Sequence, residues 1–495
     1  MRYFLPEELP SGWVKVCLNE VIDHHSGNSK LIKGKQLSFP AKGSYKGFSA
    51  SGQDVWLESY EQEGPAIVIS AVGARCGKCF MADGKWSAVA NTHVLRFDPG
   101  LIEHRYLWYL VNDEEFWVRS GSGQPFVKTK ASLERPVALP PLPEQKRIVA
   151  KVEELFSELD AGEENLIRAR GLLGLYRQSL LKAAFQGDLT AAWREANKDK
   201  LEPPETLLAR IRQERETRYA EALDAWQTAL SEWRAGGEKG KKPGKPSRPA
   251  ELVTSGSPNG HSPPGWVTVT VEGLLKEPPS NGRSVKDRKG GFKVLRLSAF
   301  KGNRLNLMEA KEGDWSAEDA EGWIVEEGDF FVIRGNGSKH LVGIGALAVG
   351  VREPVAYPDT MIRLAIDRDV ALAEYFLLVW NSRILRDQIE TAARTTAGIY
   401  KINQPHICGF AFPLPPLEEQ NELVHILDAQ LSAIDATEAE ITTALAKIAA
   451  LRQSILKEAF SGRLVPQDPK DEPAAALLAR LKPNPAPARS RKPRT

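Results

Sequence analysis

The chain has few cysteines, no excess charge of either sign and no long apolar run, and each shortage closes off a class of function. Four cysteines in 495 residues cannot build a disulfide framework. Cys76 and Cys79 form one C-x-x-C, but Cys17 and Cys408 lie too far away in sequence to supply the second pair of a four-ligand zinc site, so no metal is expected in this chain. With 66 Lys and Arg against 64 Asp and Glu, the formal net charge is +2. A protein that coats nucleic acid regardless of sequence is far more basic, so any contact with DNA must come from local patches. No stretch approaches the roughly eighteen apolar residues of a membrane span, and Met1 to Leu9 has no apolar signal-peptide core. A cytoplasmic protein without membrane contact is the expectation.

Catalytic signatures are missing too. Ala71-Val72-Gly73-Ala74-Arg75-Cys76-Gly77-Lys78-Cys79 fails as a phosphate loop, because Val72 stands where the first glycine is needed and Cys79 where a hydroxyl would hold Mg²⁺. Asn403-Gln404-Pro405-His406 lacks the second proline and the aromatic with which adenine methyltransferases stack a flipped base. His24 and His25, being adjacent, would point to opposite faces of a strand and could not share a metal. No nucleophile and base pair declares itself, so no catalytic residue is assigned.

What is present is a duplication. Leu139-Pro140-Pro141-Leu142-Pro143-Glu144-Gln145 returns as Leu414-Pro415-Pro416-Leu417-Glu418-Glu419-Gln420, and Phe185-Gln186-Gly187 returns as Phe460-Ser461-Gly462 at the same offset of 275 residues. Arg177 to Lys182 matches Arg452 to Lys457 in the same register. Between these landmarks the spacing predicts a long helix in each copy. Ile148, Val152, Leu155, Leu159, Gly162, Leu166, Ala169, Leu173, Tyr176, Leu180 and Ala183 alternate at four and three residues, as do Leu423, Leu427, Gln430, Ile434, Thr437, Ile441, Ala444, Ile448, Leu451 and Ile455. That is a coiled-coil seam with small or polar residues near its middle. About forty residues at ~1.5 Å each make a helix of roughly 60 Å, a length that suits a spacer. Proline precedes each helix, and Gly187 and Gly462 stop them.

Each helix follows a globular segment. The first opens at Ser11-Gly12-Trp13-Val14 and the second at Pro264-Gly265-Trp266-Val267, yet the contents diverge. Ala66 to Ile69 and Phe330 to Ile333 read as buried strands, and Tyr106 to Leu110 and Tyr375 to Trp380 as helical cores rather than stacking platforms. Between the halves, Pro204 to Ala235 reads as a charged helix with Tyr219, Leu223, Trp226, Leu230 and Trp233 at four-three spacing, expected to fold back on the long helices. Gly236 to Pro264 reads as a flexible linker whose lysines solubilise. Leu477 to Leu481 echoes Leu207 to Ile211, and Pro483 to Thr495 is expected to be disordered.

Cations, glycines and hydroxyls cluster at similar places in both halves, a composition suited to phosphate contact and base-edge reading. The first half has Lys30, Lys33, Lys35, Lys42 and Lys46, then Arg75 and Lys78, then Gln124, Lys128 and Lys130. The second has Arg283, Lys286, Arg288 and Lys289, then Arg334 and Lys339, then Arg394 and Lys401. These are the candidate DNA-binding residues. Two similar frames around two different reading surfaces imply a pseudo-twofold object with an asymmetric, bipartite target. Modules on one face of B-DNA sit about one turn, ~34–36 Å, apart.

Two divergent segments, each opening at Gly-Trp and closing in a Leu-Pro-Pro-Leu stretch with Glu-Gln before a long helix, together with Ser122-Gly123-Gln124-Pro125-Phe126, resemble the specificity subunit of a type I restriction-modification system. The resemblance implies an α+β architecture in which two globular mixed α/β target recognition domains are joined by two long antiparallel coiled-coil helices. Residues 1–138 and 264–413 would be the recognition domains, and 139–189 and 414–465 the spacer helices. Residues 190–263 would be a charged helical insert with a linker, and 466–495 a short helix and tail. It also implies double-stranded DNA as partner, with two methyltransferase and two restriction or motor subunits docked. The chain itself would be non-catalytic, S-adenosylmethionine, ATP and Mg²⁺ being bound by those partners. Two other readings stay open at this point: a self-contained methyltransferase or nuclease, and a coiled-coil scaffold that never meets DNA. The insert from Thr190 to Pro264 departs from the simplest members of the family.

Overall fold

The computed structural model describes residues 5–481 apart from 7, 114, 253–262 and 397. The expected disordered tail therefore lies outside the described residues. In chain order the first segment carries β1 (Val14–Cys17), β2 (Ile22–Ser26), β3 (Tyr45–Ser49), β4 (Gly52–Leu57), β5 (Gln62–Glu63), β6 (Ala66–Ser70), β7 (Cys79–Ala82), β8 (Lys85–Ala88), β9 (Thr92–Phe97), α1 (His104–Val111), β10 (Arg119–Ser120), β11 (Phe126–Val127), α2 (Thr129–Leu133) and β12 (Pro136–Leu139). The long helix α3 (Leu142–Phe185) follows, then α4 (Ala191–Asn197) and α5 (Pro204–Ala235). The second segment carries β13 (Val267–Thr270), β14 (Ser280–Asn281), β15 (Asp287–Leu295), β16 (Phe300–Lys301), β17 (Arg304–Leu305), β18 (Ala310–Gly313), α6 (Ala317–Ala320), β19 (Phe330–Ile333), β20 (Gly335–Asn336), β21 (Gly345–Leu347), β22 (Met361–Leu364), α7 (Ala373–Trp380), α8 (Arg383–Ala392), β23 (Arg394–Thr396), β24 (Ile399–Lys401), α9 (Gln404–Cys408) and β25 (Ala411–Leu414). The second long helix α10 (Leu417–Phe460) and the short α11 (Ala474–Leu481) complete the chain.

The repeated words at the two ends of each segment are the strands that close it. β1 pairs antiparallel with β12, Val14 opposite Leu139. β13 pairs with β25 in the same way, Val267 opposite Leu414. Leu139 and Leu414 are thus the last residues of strands, and each long helix begins three residues later, beyond the two prolines. The Glu-Gln pair that follows is buried in both copies. Gln145 Nε2 donates to the carbonyls of Leu101 and Pro140 (both 3.0 Å) while its Oε1 accepts from Glu103 N (2.8 Å). Gln420 does the same with Val370, Pro415 and Leu372. One side chain satisfies three backbone groups that would otherwise be buried without partners.

Two compact units divide the chain, residues 1–170 with 439–495 and residues 171–438, and the division falls inside both long helices. In the first unit the antiparallel sheet β2-β9-β6-β7 and the sheet β4-β3-β8-β5, with β3 and β8 parallel, form the centre. Its main core joins Ile67, Ile69 and Leu95 to α1 through Tyr106 and Leu107, to the start of α3 through Ile148 and Val152, and to the end of α10 through Phe460. In the second unit the sheet β14-β22-β19-β21-β17-β16 is central. There Phe330 and Val332 pack with Phe376 and Trp380 of α7, Leu423 and Leu427 of α10, and Ala184 and Phe185 of α3. Both aromatic stretches are helical cores, as expected.

The long helices run antiparallel. In the first unit Arg452 pairs with Asp160 and Glu163, and Gly162 lies against Ile448. In the second, Arg177 pairs with Asp435, and the Tyr176 hydroxyl donates to Gln430 at 3.2 Å. Apart from Ile441, the seam is deepest where it meets a globular core. Ile148, Val152, Leu180, Leu423, Leu427, Ile434 and Ile441 are buried. Leu155, Leu159, Leu166, Leu173, Ile448 and Ile455 are half-buried, since a lone helix pair covers each a/d position from one side only. Leu451, expected in the seam, is 41% exposed, since here too the helix pair covers it from one side only. Both helices end in the same left-handed cap. Gly187 and Gly462 have φ of 76° and 70°, and the next N–H reaches back to Ala183 and Glu458 respectively.

Two expectations about the insert need correction. α5 spans the expected residues, but rather than folding back along the long helices it leans on the second globular domain. Leu207 and Ile211 enter that core, Arg215 pairs with Glu272, and Arg218 with Asp367. Its four-three aromatic stripe is covered by the supposed flexible linker instead. Trp226 Nε1 donates to Pro243 O (3.1 Å) with Lys245 over its ring, and Trp233 Nε1 reaches Gly240 O (3.4 Å). Indole N–H groups thus pin the glycine- and proline-rich segment to the helix. Residues 253–262 of that linker lie outside the described residues.

Candidate nucleic-acid interface

In each globular domain one turn collects three loops by backbone hydrogen bonds. In the first it is the turn between β8 and β9. Ala88 O accepts from Asn28 N and Thr92 O from Gly27 N (both 2.9 Å), while Asn91 O accepts from Ala71 N, whose own carbonyl accepts from Val127 N (both 2.9 Å). The loop after β2, the loop after β6 and the β10–β11 hairpin are thereby brought together. In the second domain the stretch before β22 does the same. Tyr357 O accepts from Arg283 N (3.4 Å), Met361 O from Gly282 N (3.2 Å) and Thr360 O from Arg334 N (2.9 Å), while Arg334 O accepts from Ile402 N (3.1 Å). The three clusters named in each half lie on these three loops or on the elements next to them. Ala71 and Arg334, and likewise Asn28 and Arg283, make equivalent backbone hydrogen bonds.

Gly27 and Gly282 make the arrangement possible, and sequence reasoning missed both. A Cβ on Gly27 would lie 2.2 Å from Thr92 Oγ1 and 2.3 Å from Val89 O, and one on Gly282 2.2 Å from Pro358 O and 2.3 Å from Tyr357 O. The signal available in sequence was the pair Ser26-Gly27-Asn28 and Asn281-Gly282-Arg283, each a turn tripeptide at the end of a strand.

The clusters differ in how their charges are held. Lys30, Lys35, Lys42 and Lys46 are exposed, and no ion pair holds them among the described residues. Lys33 is different: its ammonium pairs with Asp54 and donates to Ser51 Oγ at 3.2 Å. Arg75 and Lys78 are exposed on the β6–β7 loop, where the bridge between Val72 and Phe126 joins it to the hairpin bearing exposed Gln124. Lys128 and Lys130 follow at the exposed start of α2. In the second domain Arg283 lies over Trp315 and Trp323, with 6.0 and 5.5 Å to the ring centres, and Arg288 pairs with Asp314 at 2.7 Å. Lys286, Lys289 and Lys339 are exposed. Half-buried Arg334 donates to Asp359 O at 3.3 Å. Arg394 and Lys401 stand directly opposite each other on β23 and β24. Like charges so placed destabilise a strand pair, and an anion between them would relieve the repulsion.

The rejected motifs have structural roles. Cys76 and Cys79 are buried, and burial pushes the Cys79 thiol far above the usual range. Asn403 caps α9 by accepting from His406 N at 2.9 Å. His24 faces His93 rather than His25, 3.2 Å away, and burial holds His93 down at about 4. Among the described residues no group of three or more His, Cys, Asp or Glu is placed to hold a metal, and no helix is long and apolar enough to cross a membrane.

Residues 10–169 match the model of the type I restriction modification DNA specificity domain. The chain is similar to the specificity subunits of type I restriction enzymes. It is 25% identical over 355 residues to the EcoKI specificity subunit of Escherichia coli strain K12, covering 70% of this chain and 63% of that one. Over 493 residues it is 24% identical to the EcoDI specificity subunit of Escherichia coli, covering 96% of each. The chain thus spans somewhat under two thirds of the first relative's length and nearly all of the other's. Its fold matches a solved chain described under complex assembly and conformational transition of the type I R-M system, with a TM-score of 0.59, 17% identity, and coverage of 92% of this chain and 100% of that one.

Proposed function

We propose that the chain is a type I restriction-modification specificity subunit that recognises an asymmetric, bipartite site in double-stranded DNA, one half-site per globular domain. The observation that carries the reading is the repeated turn with its three loops, one backbone scaffold presenting two different sets of cations and polar groups. Phosphate contacts position a protein on duplex, while base edges supply sequence. A scaffold that holds its frame while its loops diverge suits two unrelated half-sites. The subunit docks two methyltransferase and two restriction or motor subunits. S-adenosylmethionine, ATP and Mg²⁺ belong to those partners, and this chain performs no chemistry of its own.

Exchanging residues 14–139 for the corresponding segment of a relative with another target tests this. Sequencing modified adenines in cells carrying the exchange is expected to show one half-site changed and the other retained. Both half-sites changing, or neither, would defeat the reading. Adenine methylation by the purified chain alone with S-adenosylmethionine would defeat the non-catalytic assignment.

A further inference from the structure

The loop between β2 and β3 presents an apolar side chain to solvent in a way that loose surface loops do not. Phe39 is 80% exposed, and Ile32 and Leu37 on the same loop are each 46% exposed. The phenyl is not on a free tether. Before it, Leu37 and Trp56 exchange both backbone hydrogen bonds (3.3 and 2.8 Å), and after it the Ser44 hydroxyl donates to Ala41 O (2.7 Å) and accepts from Ala41 N (2.9 Å). Pro40 restricts Phe39 itself to extended backbone. The Lys33 ion pair with Asp54 adds a third anchor. Ala90 N donates to Leu31 O at 2.9 Å, tying the loop to the turn that gathers the other two. A fixed arch therefore carries Phe39 among the exposed Lys35, Lys42 and Lys46.

Exposure alone does not single Phe39 out. Met308 is 87% exposed, but it lies on the connection between β17 and β18, which has no part in the gathered turn. Among the described residues Phe39 is the most exposed apolar side chain on the gathered loops, and it has unpaired cations on both sides and a rigid tie to the candidate interface. Lysines reach phosphates without regard to sequence, whereas an apolar side chain gains by meeting a thymine methyl or an opened base step. We infer that Phe39 is a specificity-determining residue of the first recognition domain, making an apolar contact with the bases of its half-site. This rests on the proposed DNA reading and adds a contact that the charges do not supply.

The test uses the full chain assembled with its methyltransferase subunits, and anisotropy on two labelled duplexes, the site mapped by adenine modification and a scrambled duplex of equal length. Phe39→Ala is expected to weaken binding to the mapped site by about tenfold to a hundredfold. It should leave the scrambled duplex and the salt slope within about twofold, and relax sequence preference in one half-site only. Phe39→Leu should keep most of the preference. Lys35→Ala with Lys42→Ala should weaken both duplexes alike. Wild-type affinity of Phe39→Ala for the mapped site would overturn the inference while leaving DNA recognition intact, as would equal loss on both duplexes. Cosedimentation of the full chain with phosphatidylglycerol vesicles that Phe39→Ala abolishes, with DNA binding unchanged, would assign the arch to a membrane surface and overturn it too. Failure of the wild-type assembly to bind either duplex would remove the DNA reading itself, and this inference with it.

Discussion

The two globular domains solve one mechanical problem with different chemistry, and the difference is clearest where each meets the end of a long helix. In the first, buried Glu144 accepts from two neutral donors, Trp13 Nε1 at 3.0 Å and Gln467 Nε2 at 3.1 Å. Burial, the largest effect on this group, raises its pKa above the usual carboxylate range, and these hydrogen bonds offset the rise only in part. In the second, Glu419 at the equivalent position is gripped by Arg194 through three contacts of 2.8 to 3.2 Å and by Thr190 Oγ1 at 2.6 Å. Arg194 also covers Trp266, 5.8 Å from its ring, and Trp266 Nε1 has no hydrogen-bond partner. The insert thus supplies a charge where the first half uses an indole and an amide. A repeat preserves the need to hold the helix start, and it leaves open which side chains do so.

The sharpest way to break the comparison is at the shared glycines. Gly27→Ala and Gly282→Ala each push a Cβ into a backbone carbonyl, and each is expected to cost about 3 kcal/mol or more. Thermal unfolding of the two variants should show similar losses. A cost confined to one would mean that the gathered turns are not equivalent.

Next comes the pair of glutamates. Glu419→Gln leaves Arg194 facing a neutral amide in a mostly buried site and should cost about 3 kcal/mol. Glu144→Gln turns an amide N–H₂ toward a donor and loses one hydrogen bond, about 1 kcal/mol. Denaturant titration of both variants gives the order, and the reverse order would sink the contrast.

The same site gives a pH dependence. Because the folded pKa of Glu144 is raised, the native state binds a proton more readily than the unfolded chain in the interval between the ordinary carboxylate pKa and the raised one. Stability from this group therefore falls as pH rises through that interval and is level above it. Comparing melting temperature against pH for wild type and Glu144→Gln should show that the variant lacks this decline.

The smallest effects separate free from tethered cations. In the assembled complex Lys35→Ala with Lys42→Ala should flatten the salt dependence of DNA binding by about two units, at ~0.9 per phosphate contact. Lys33→Ala should change it by under half as much per residue, since Asp54 already holds that charge. Arg283→Ala, which removes a cation from two indoles, should lower stability by about 1 kcal/mol. An equal slope change for Lys33 and Lys35 would erase the distinction.

Much of this was legible in the chain itself. The gap-free offset of the helices, their glycine stops and the strands at Ala66 and Phe330 follow from local rules, periodicity and capping, that hold before any tertiary contact forms. The cation clusters were legible as composition but not as a surface, because the bonds that gather them join residues such as Ala71 and Val127, far apart in sequence and held through main-chain atoms. Lys33 and Arg288 looked like their neighbours until Asp54 and Asp314 appeared beside them. Leu451 fitted the seam by spacing, yet it is exposed, because burial depends on what covers a position and not on spacing alone.

By itself the sequence determined the duplication, the helix pair and the repeated frame around the two segments, since identity at a constant offset and four-three spacing are properties of order along the chain. The tertiary structure decided which loops meet, which cations remain free, where the insert packs and that Phe39 stands outside the core. Those outcomes depend on hydrogen bonds and packing between distant residues, whose partners are named only once the backbone has folded.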